Sequence, residues 1–365
     1  MKNNLLMFMP SIDEGGVENN LFAVSNYLKN EDVNIEILSC NYDKIKNFIK
    51  GTKFIGTKIN FLYNRNKKIK YTVSLVLLFF NLLFRKDKTL VFAFQANIYA
   101  VIVAKLLNTK IIIRSNTAPS GWYHGSNKNS IYKFFISFAD DVIVNSIEFK
   151  KIFDKKFNVK TECIYNPFNK KIINQNLKKK INIKFFDKKN LNILAVGRLT
   201  EQKDHLTILK SIKLLKSNFK LKLIIIGEGY NKNLLLNFIN AHNLQNKISL
   251  VGYKNNPYPY IKKSDIIILT SKYEGLPNIL LEAQYLKKYI ISTNCPTGPK
   301  EILINGLAGD LVKIGDFKKI SNLIKTYYQR KLSIRKKINY GYKNFSRFDY
   351  HLNCKKYLAI IKKNF

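Results

Sequence analysis

Short runs of apolar, often β-branched residues alternate with longer stretches in which apolar positions recur every three or four residues, from one end of the chain to the other. The short runs have the length of buried strands and the longer stretches have the period of helices, so the pattern predicts an α/β protein with parallel sheets built from βαβ units. In the first half the strands fall at 5–9, 35–38, 90–94, 110–113, 142–144 and 163–165, with helices at 17–29 and 98–107. A second series follows, with strands at 191–196, 221–226, 248–251, 265–269 and 289–292 and helices at 204–215, 231–241 and 278–286. From Asn166-Pro167 to Asn190 the chain is polar and lysine-rich, the composition of a linker with a basic loop. The organisation is two doubly wound domains, 1–170 and 171–347, followed by a helix over 348–365. Two such domains in tandem are expected to enclose a deep cleft where ligands meet the carboxyl ends of both sheets.

One segment departs from the pattern. Residues 71–84 read YTVSLVLLFFNLLF, with Arg65, Lys67, Lys68 and Lys70 before them and Arg85 and Lys86 after. As a helix this segment spans about 21 Å, short of the roughly 30 Å hydrocarbon core of a bilayer. Two readings stay open, a buried core helix and an interfacial helix lying among anionic headgroups. The apolar stretch at 5–9 is too short for the hydrophobic region of a signal peptide, and the four cysteines form no Cys-x-x-Cys pair. Neither a zinc site nor a disulfide framework is expected, and the location expected is the cytoplasm.

Composition adds a length of 365 residues, comfortable for two domains, and a net charge of +39. A charge of that size draws a protein toward polyanions such as nucleic acid, anionic lipid or phosphorylated substrates, without choosing among them. Lysine greatly outnumbers arginine, and asparagine, isoleucine and phenylalanine are abundant throughout, as when an AT-rich genome drives codon usage. Much of the charge is then drift on solvated faces. A nucleic-acid-binding reading has no helix-turn-helix, RNA-recognition or zinc motif behind it, so no nucleic-acid partner is expected.

The chemistry is concentrated in two strand-to-helix turns. Ser271 to Asn278 reads SKYEGLPN and runs on to Glu282. Gly275 permits the tight turn, and Pro277 suits the first helical turn, where a missing N–H is harmless. Amides from Asn278 and Ile279 onward then form an anion site at the positive end of a helix dipole. Glu274 and Glu282 are spaced to accept hydrogen bonds from hydroxyls about a sugar's length apart, although Glu-x7-Glu alone is common by chance. The earlier turn, Gly197-Arg198-Leu199-Thr200-Glu201-Gln202-Lys203, supplies a forked cation and a point charge suited to a pyrophosphate.

GRLTEQK, IIGEG at 225–229, LVGY at 250–253 and YEGLPNILLEA with CPTGPKEIL together closely resemble glycosyltransferase family 4, and Gly15-Gly16-Val17-Glu18 is similar to its donor-side loop. The resemblance covers nearly the whole chain and implies the GT-B fold of two Rossmann-like domains, with the last helix crossing back to the first. It implies a retaining sugar transfer that needs no metal or cofactor, consistent with the lack of an Asp-x-Asp motif. Arg198 and Lys203 would hold the donor diphosphate with the backbones of Gly16 and Gly197, and Gly15 would lie in the same loop. Glu274 and the backbone of Gly275, Leu276, Pro277 and Asn278 would hold the sugar, with Ile279 also on the donor side, Glu282 would hold the ribose, and Gly227, Gly229 and Tyr253 the base. The CPTGPKEIL stretch is similar to that of members using UDP-sugars. The acceptor side departs from the family pattern: it reads Arg114-Ser115-Asn116, with His124 further on, so Arg114, Asn116 and His124 are the candidates. A lipid-linked or cell-surface glycan is the implied acceptor, with the enzyme peripheral on the anionic inner face of the cytoplasmic membrane. A nucleotide-sugar epimerase or a glycan phosphorylase on the same fold is the nearest alternative.

Overall fold

In a computed structural model, which describes residues 4–12, 15–41, 52–57, 66–116, 126–179 and 181–365, the apolar runs become strands of two all-parallel sheets. The chain forms two compact units, Met1–Pro167 with Phe348–Phe365, and Phe168–Arg347.

The first unit runs β1 (Asn4–Phe8), α1 (Gly16–Leu28), β2 (Asn34–Asn41), β3 (Lys53–Thr57), α2 (Lys67–Leu83), β4 (Thr89–Ala93), α3 (Asn97–Leu106), β5 (Lys110–Arg114), α4 (Ser126–Ile136), β6 (Asp141–Val144), α5 (Ile147–Phe157) and β7 (Glu162–Cys163). Its strand order is β3-β2-β1-β4-β5-β6-β7. Successive residues of a strand feed opposite cores, which is why the central strands β1, β4 and β5 carry continuous apolar runs. Leu5 and Met7 join Leu21 and Val24 of α1, whereas Leu6 and Phe8 join Leu78 of α2, Ala104 of α3, Ile136 of α4 and Phe149 of α5.

The second unit runs α6 (Lys170–Leu177), β8 (Leu191–Val196), α7 (His205–Lys213), β9 (Leu221–Ile226), α8 (Lys232–Ala241), β10 (Ile248–Leu250), α9 (Tyr258–Lys263), β11 (Ile266–Leu269), α10 (Asn278–Tyr285), β12 (Tyr289–Thr293), α11 (Gly298–Ile302), β13 (Asp310–Val312), α12 (Phe317–Lys325) and α13 (Lys331–Lys343). Its order is β10-β9-β8-β11-β12-β13. Helix α6 lies in the stretch expected to be linker and loop. Asn169 caps it by accepting from the amides of Lys171 and Ile172, and Ile173 is buried.

The segment at 71–84 lies within α2, and no helix among the described residues is long and apolar enough to cross a membrane. Lys70, expected as a basic flank, is instead buried, on the same row of α2 as Ser74, Leu78 and Leu82. A four-residue spacing keeps these positions on one helix face.

The C-terminal helix, Tyr350–Asn364, is a structural part of the first unit. Tyr357 and Ile361 enter the core beside α1, and Tyr350 donates to the Ala23 carbonyl at 3.0 Å. Arg114, at the end of β5, is fully buried; its Nε donates to the Tyr357 hydroxyl at 2.7 Å and its Nη2 to Asn166 Oδ1 at 2.6 Å. A buried guanidinium needs those acceptors. Tyr357→Phe should therefore destabilise the protein by about 1–3 kcal/mol, the cost of leaving a buried charged donor unmet. Urea unfolding measures it, and an unchanged midpoint would contradict the role assigned to this strut.

Candidate functional site

In the second unit the strand order turns back between β8 and β11, and such a reversal opens a crevice at the carboxyl ends of the two strands. The turns at 197–204 and 270–277 meet there. The Lys272 amide donates to the Gln202 carbonyl at 2.8 Å, and Gln202 Nε2 donates to the Tyr273 carbonyl at 3.0 Å. The Thr270 hydroxyl is shared between the carbonyls of Lys203 and Asp204, at 3.0 and 2.9 Å.

The turn after β12 closes on the same place. Thr293 donates to the Ser271 carbonyl at 2.6 Å, Thr297 to the Glu274 carbonyl at 2.7 Å, and the Gly298 amide to the Gly275 carbonyl at 2.7 Å. A Cβ on Gly298 would stand 2.0 Å from that last carbonyl, so only glycine fits. On the other side, a Cβ on Gly227 would stand 2.0 Å from the Gly197 carbonyl. Gly227, a candidate for base binding, thus has a packing role, and Gly229 likewise presses against the Leu199 carbonyl.

At the centre is Glu274, 6% exposed. Its Oε1 accepts from Lys203 Nζ and from Ser271 Oγ, both at 2.5 Å. Its Oε2 has no hydrogen bond among the described residues. Burial, then the charge on Glu274, pushes the Cys295 thiol up to about 12, which rules it out as a thiolate nucleophile. His205 is buried, and burial together with the Lys203 charge lowers it to about 3, so it is neutral near pH 7.

Arg198 is exposed, touches only the Gln202 side-chain oxygen at 3.4 Å, and has no carboxylate partner among the described residues. It is a cation available to an anion. Pro277 stands at the N-cap of α10, one position before the first turn where it was expected, and α10 has no acid in its first turn to oppose an anion. Leu276 and Ile279 are buried beside it, with Asn278 opening the helix. Glu282 lies one turn in; burial pushes its carboxyl up to about 7, and its charge helps to raise the Tyr258 hydroxyl. Tyr253 is about half exposed on the loop after β10.

In the first unit, Gly15 caps α1 in an extended conformation and Gly16 opens that helix, with Glu18 buried in its first turn. Arg114, expected as an acceptor contact, belongs to the core strut described above, because the C-terminal helix covers it. Asn116 braces two strand ends by donating to the Phe94 carbonyl at 2.7 Å and the Arg114 carbonyl at 3.3 Å. His124 lies outside the described residues. Among the described residues no group of His, Cys, Asp and Glu could hold a metal ion. Reading motifs gave no role to Gln202, Ser271 and Thr297, which lie inside the quoted segments, and passed over Thr270 and Thr293; together these residues hold the turns. Their signal was a hydroxyl or amide at each strand's carboxyl end.

Residues 176–344 match the family model described as glycosyl transferases group 1. Over 208 residues the chain is 36% identical to an uncharacterized glycosyltransferase of Methanocaldococcus jannaschii, a match covering 54% of this chain and 51% of that protein. Over 346 residues, 88% of each protein, it is 29% identical to the N-acetylgalactosamine-N,N'-diacetylbacillosaminyl-diphospho-undecaprenol 4-alpha-N-acetylgalactosaminyltransferase of Campylobacter jejuni. Its fold matches HepE of Anabaena, crystallised with UDP, at a TM-score of 0.78 and 16% identity over 100% of both chains. The shared fold is GT-B.

The raised Glu282 carboxyl makes stability depend on pH. Its proton is held more tightly in the folded state, so the contribution is complete below the ordinary value of 4.5 and is lost as pH rises through about 7. Glu282→Gln removes that loss. Its stability relative to the parent should rise by on the order of 3 kcal/mol between pH 4.5 and 8 in urea unfolding. A difference independent of pH would contradict the burial of this carboxyl.

Proposed function

We propose that this chain, whose residues 176–344 match the model of glycosyl transferases group 1, moves a sugar from a UDP-sugar to a glycan acceptor with retention of anomeric configuration. The observation that carries the reading is the Lys203–Glu274 pair beside Arg198 at the crevice between β8 and β11. The bond from the sugar's anomeric carbon to the diphosphate breaks. Arg198, Lys203 and the start of α10 stabilise the negative charge that develops on the leaving group, as an oxyanion hole does. The acceptor oxygen bonds to the same carbon from the face the diphosphate leaves, and its proton passes to a phosphate oxygen. Glu274 Oε2 accepts a sugar hydroxyl, the backbone over 275–279 lines the sugar, and Glu282 accepts the ribose hydroxyls. Gly227, Gly229 and Tyr253 border the base.

The UDP bound in HepE supports the choice of nucleotide, and the diphospho-undecaprenol in the Campylobacter relative's name supports a lipid-linked glycan as acceptor. Such an acceptor places the enzyme peripherally at the cytoplasmic membrane. Two cations and a helix start supply the charge that a metal supplies elsewhere, so transfer is metal-independent.

Thermal stabilisation by a panel of nucleotide sugars identifies the donor, since a ligand at 100 times its Kd adds about 2.7 kcal/mol. With that donor, Arg198→Ala and Lys203→Ala should each lower transfer by roughly 10²-fold or more. Near-normal turnover in folded Arg198→Ala would overturn the diphosphate assignment. Turnover should also survive exhaustive EDTA treatment; loss restored by Mg²⁺ or Mn²⁺ would overturn metal independence.

A further inference from the structure

Helix α2 is inverted relative to an ordinary surface helix. Between Ile69 and Phe84 its one charged residue, Lys70, is buried, while Ile69, Val76, Phe80, Leu83 and Phe84 face solvent. A helix on a sheet ordinarily turns its polar positions outward. Here the row at 70, 74, 78 and 82 meets the core, and the opposite row has no charge to hydrate it.

The inversion is not confined to one helix. Helix α3 packs against both α2 and α4. It buries Ala100, Val101 and Ala104, and it exposes Tyr99 and Leu106, the latter at 72%. On α4, Ile136 is buried while Ile131 and Phe134 are exposed, Phe134 at 59%, and Phe134 meets Phe138 edge to face at 5.0 Å. Three neighbouring helices on one face of one sheet therefore turn apolar side chains to solvent. Scattered exposed apolar residues need no explanation, whereas a contiguous apolar face marks an interaction site.

We propose that the face formed by α2, α3 and α4 docks on an anionic lipid surface. The charges around it select this occupant. Lys68 is exposed near the start of α2, Lys86 and Lys88 just beyond its end, and Lys133 on α4. Asp87 is exposed between Lys86 and Lys88 and offsets one of these four lysines, while Asp140 is engaged by Lys105 at 2.7 Å and by the Ile111 amide. An apolar face with a lysine rim fits a layer that is apolar within and anionic at its surface. A second copy of the chain, itself at +39, would oppose a like-charged rim to this one. The inference deepens the reading of the enzyme as peripheral to the membrane and rests on it; it is independent of the donor chemistry.

Flotation of the full chain with phosphatidylcholine vesicles, and with vesicles also containing phosphatidylglycerol, at low and high salt, provides the test. A net charge of +39 alone gives binding that salt abolishes, so the salt-resistant fraction is the readout. The parent should bind anionic vesicles and keep part of that binding at high salt. The triple variant Phe80→Ser, Leu106→Ser, Phe134→Ser should lower high-salt partitioning by roughly 10-fold or more. Lys68→Gln with Lys86→Gln and Lys88→Gln should lower only the low-salt binding. Both variants should transfer sugar to a soluble acceptor at the parent's rate, and the single Leu106→Ser should fall between parent and triple if the triple folds poorly. High-salt binding unchanged in the serine variants overturns this face while leaving the membrane reading intact. A parent that binds no vesicle overturns both. A dimeric parent that the serine variants convert to monomer, with vesicle binding unaltered, assigns the face to self-association and overturns the proposal.

Discussion

A carboxylate withdrawn from water costs several kcal/mol unless a cation and donors meet it, and Glu274 is withdrawn to 6% exposure. Lys203 and Ser271 meet it on a single oxygen. Because Lys203 leaves the end of β8 and Glu274 the end of β11, the pair fixes the spacing of the two turns that face the crevice. The hydroxyls of Thr270, Thr293 and Thr297 then tie the backbone of these turns and of the turn after β12. Among the described residues one carboxylate oxygen is left without a hydrogen bond, and the Arg198 guanidinium is exposed. In the proposed reaction, a diphosphate at Arg198 would meet a Lys203 already oriented, with little conformational entropy left to lose.

Legibility in the sequence followed the length and purity of the hydrophobic signal. Strands β8 and β9 were legible to the residue, because each is a six-residue run with a single polar position, Asn192 or Lys222, closed by a glycine. The edge strand β3, with sequence KFIGT, carries a lysine, a glycine and a threonine in five positions and gave no run to detect. Strand β13 is three residues long. Helix α6 was masked by the lysines around it, since its apolar contribution to the core is mainly Ile173.

The site divides in the same way. Arg198, Lys203, Glu274 and Glu282 stand out in the sequence as candidates because strand-to-helix turns compress them into short segments. Thr293 and Thr297 come from the end of β12 and the turn after it, some 20 residues further along, and only the parallel pairing of β11 with β12 brings them close. Arg114 marks the opposite failure. A cation at a strand end looks the same in sequence whether it faces a ligand or the core. What decides between them is Tyr357, 243 residues later, and no local pattern carries that.

Charge and apolarity make separable contributions to where this chain resides. It has 63 Lys and Arg against 24 Asp and Glu, and several of the few acids are consumed internally. Glu36 pairs with Lys53 and Arg85, Asp154 with Lys150, Glu274 with Lys203, and Asp310 with Arg330 and Lys337. Burial alone would raise the Asp310 carboxyl, and the donors from Lys337, Tyr289 and Arg330 outweigh it and hold the carboxyl low. Each such pair cancels an acid against a cation close by, so the field felt outside is carried by the lysines and arginines in excess. A field of that kind raises the local concentration of any polyanion, but it is screened within about 10 Å at 0.1 M salt and carries no preferred orientation. Orientation requires a feature that distinguishes one side of the molecule. In the first unit the helices on one face of the sheet supply it: they bury the lysine that should have faced water and expose the phenylalanines that should not.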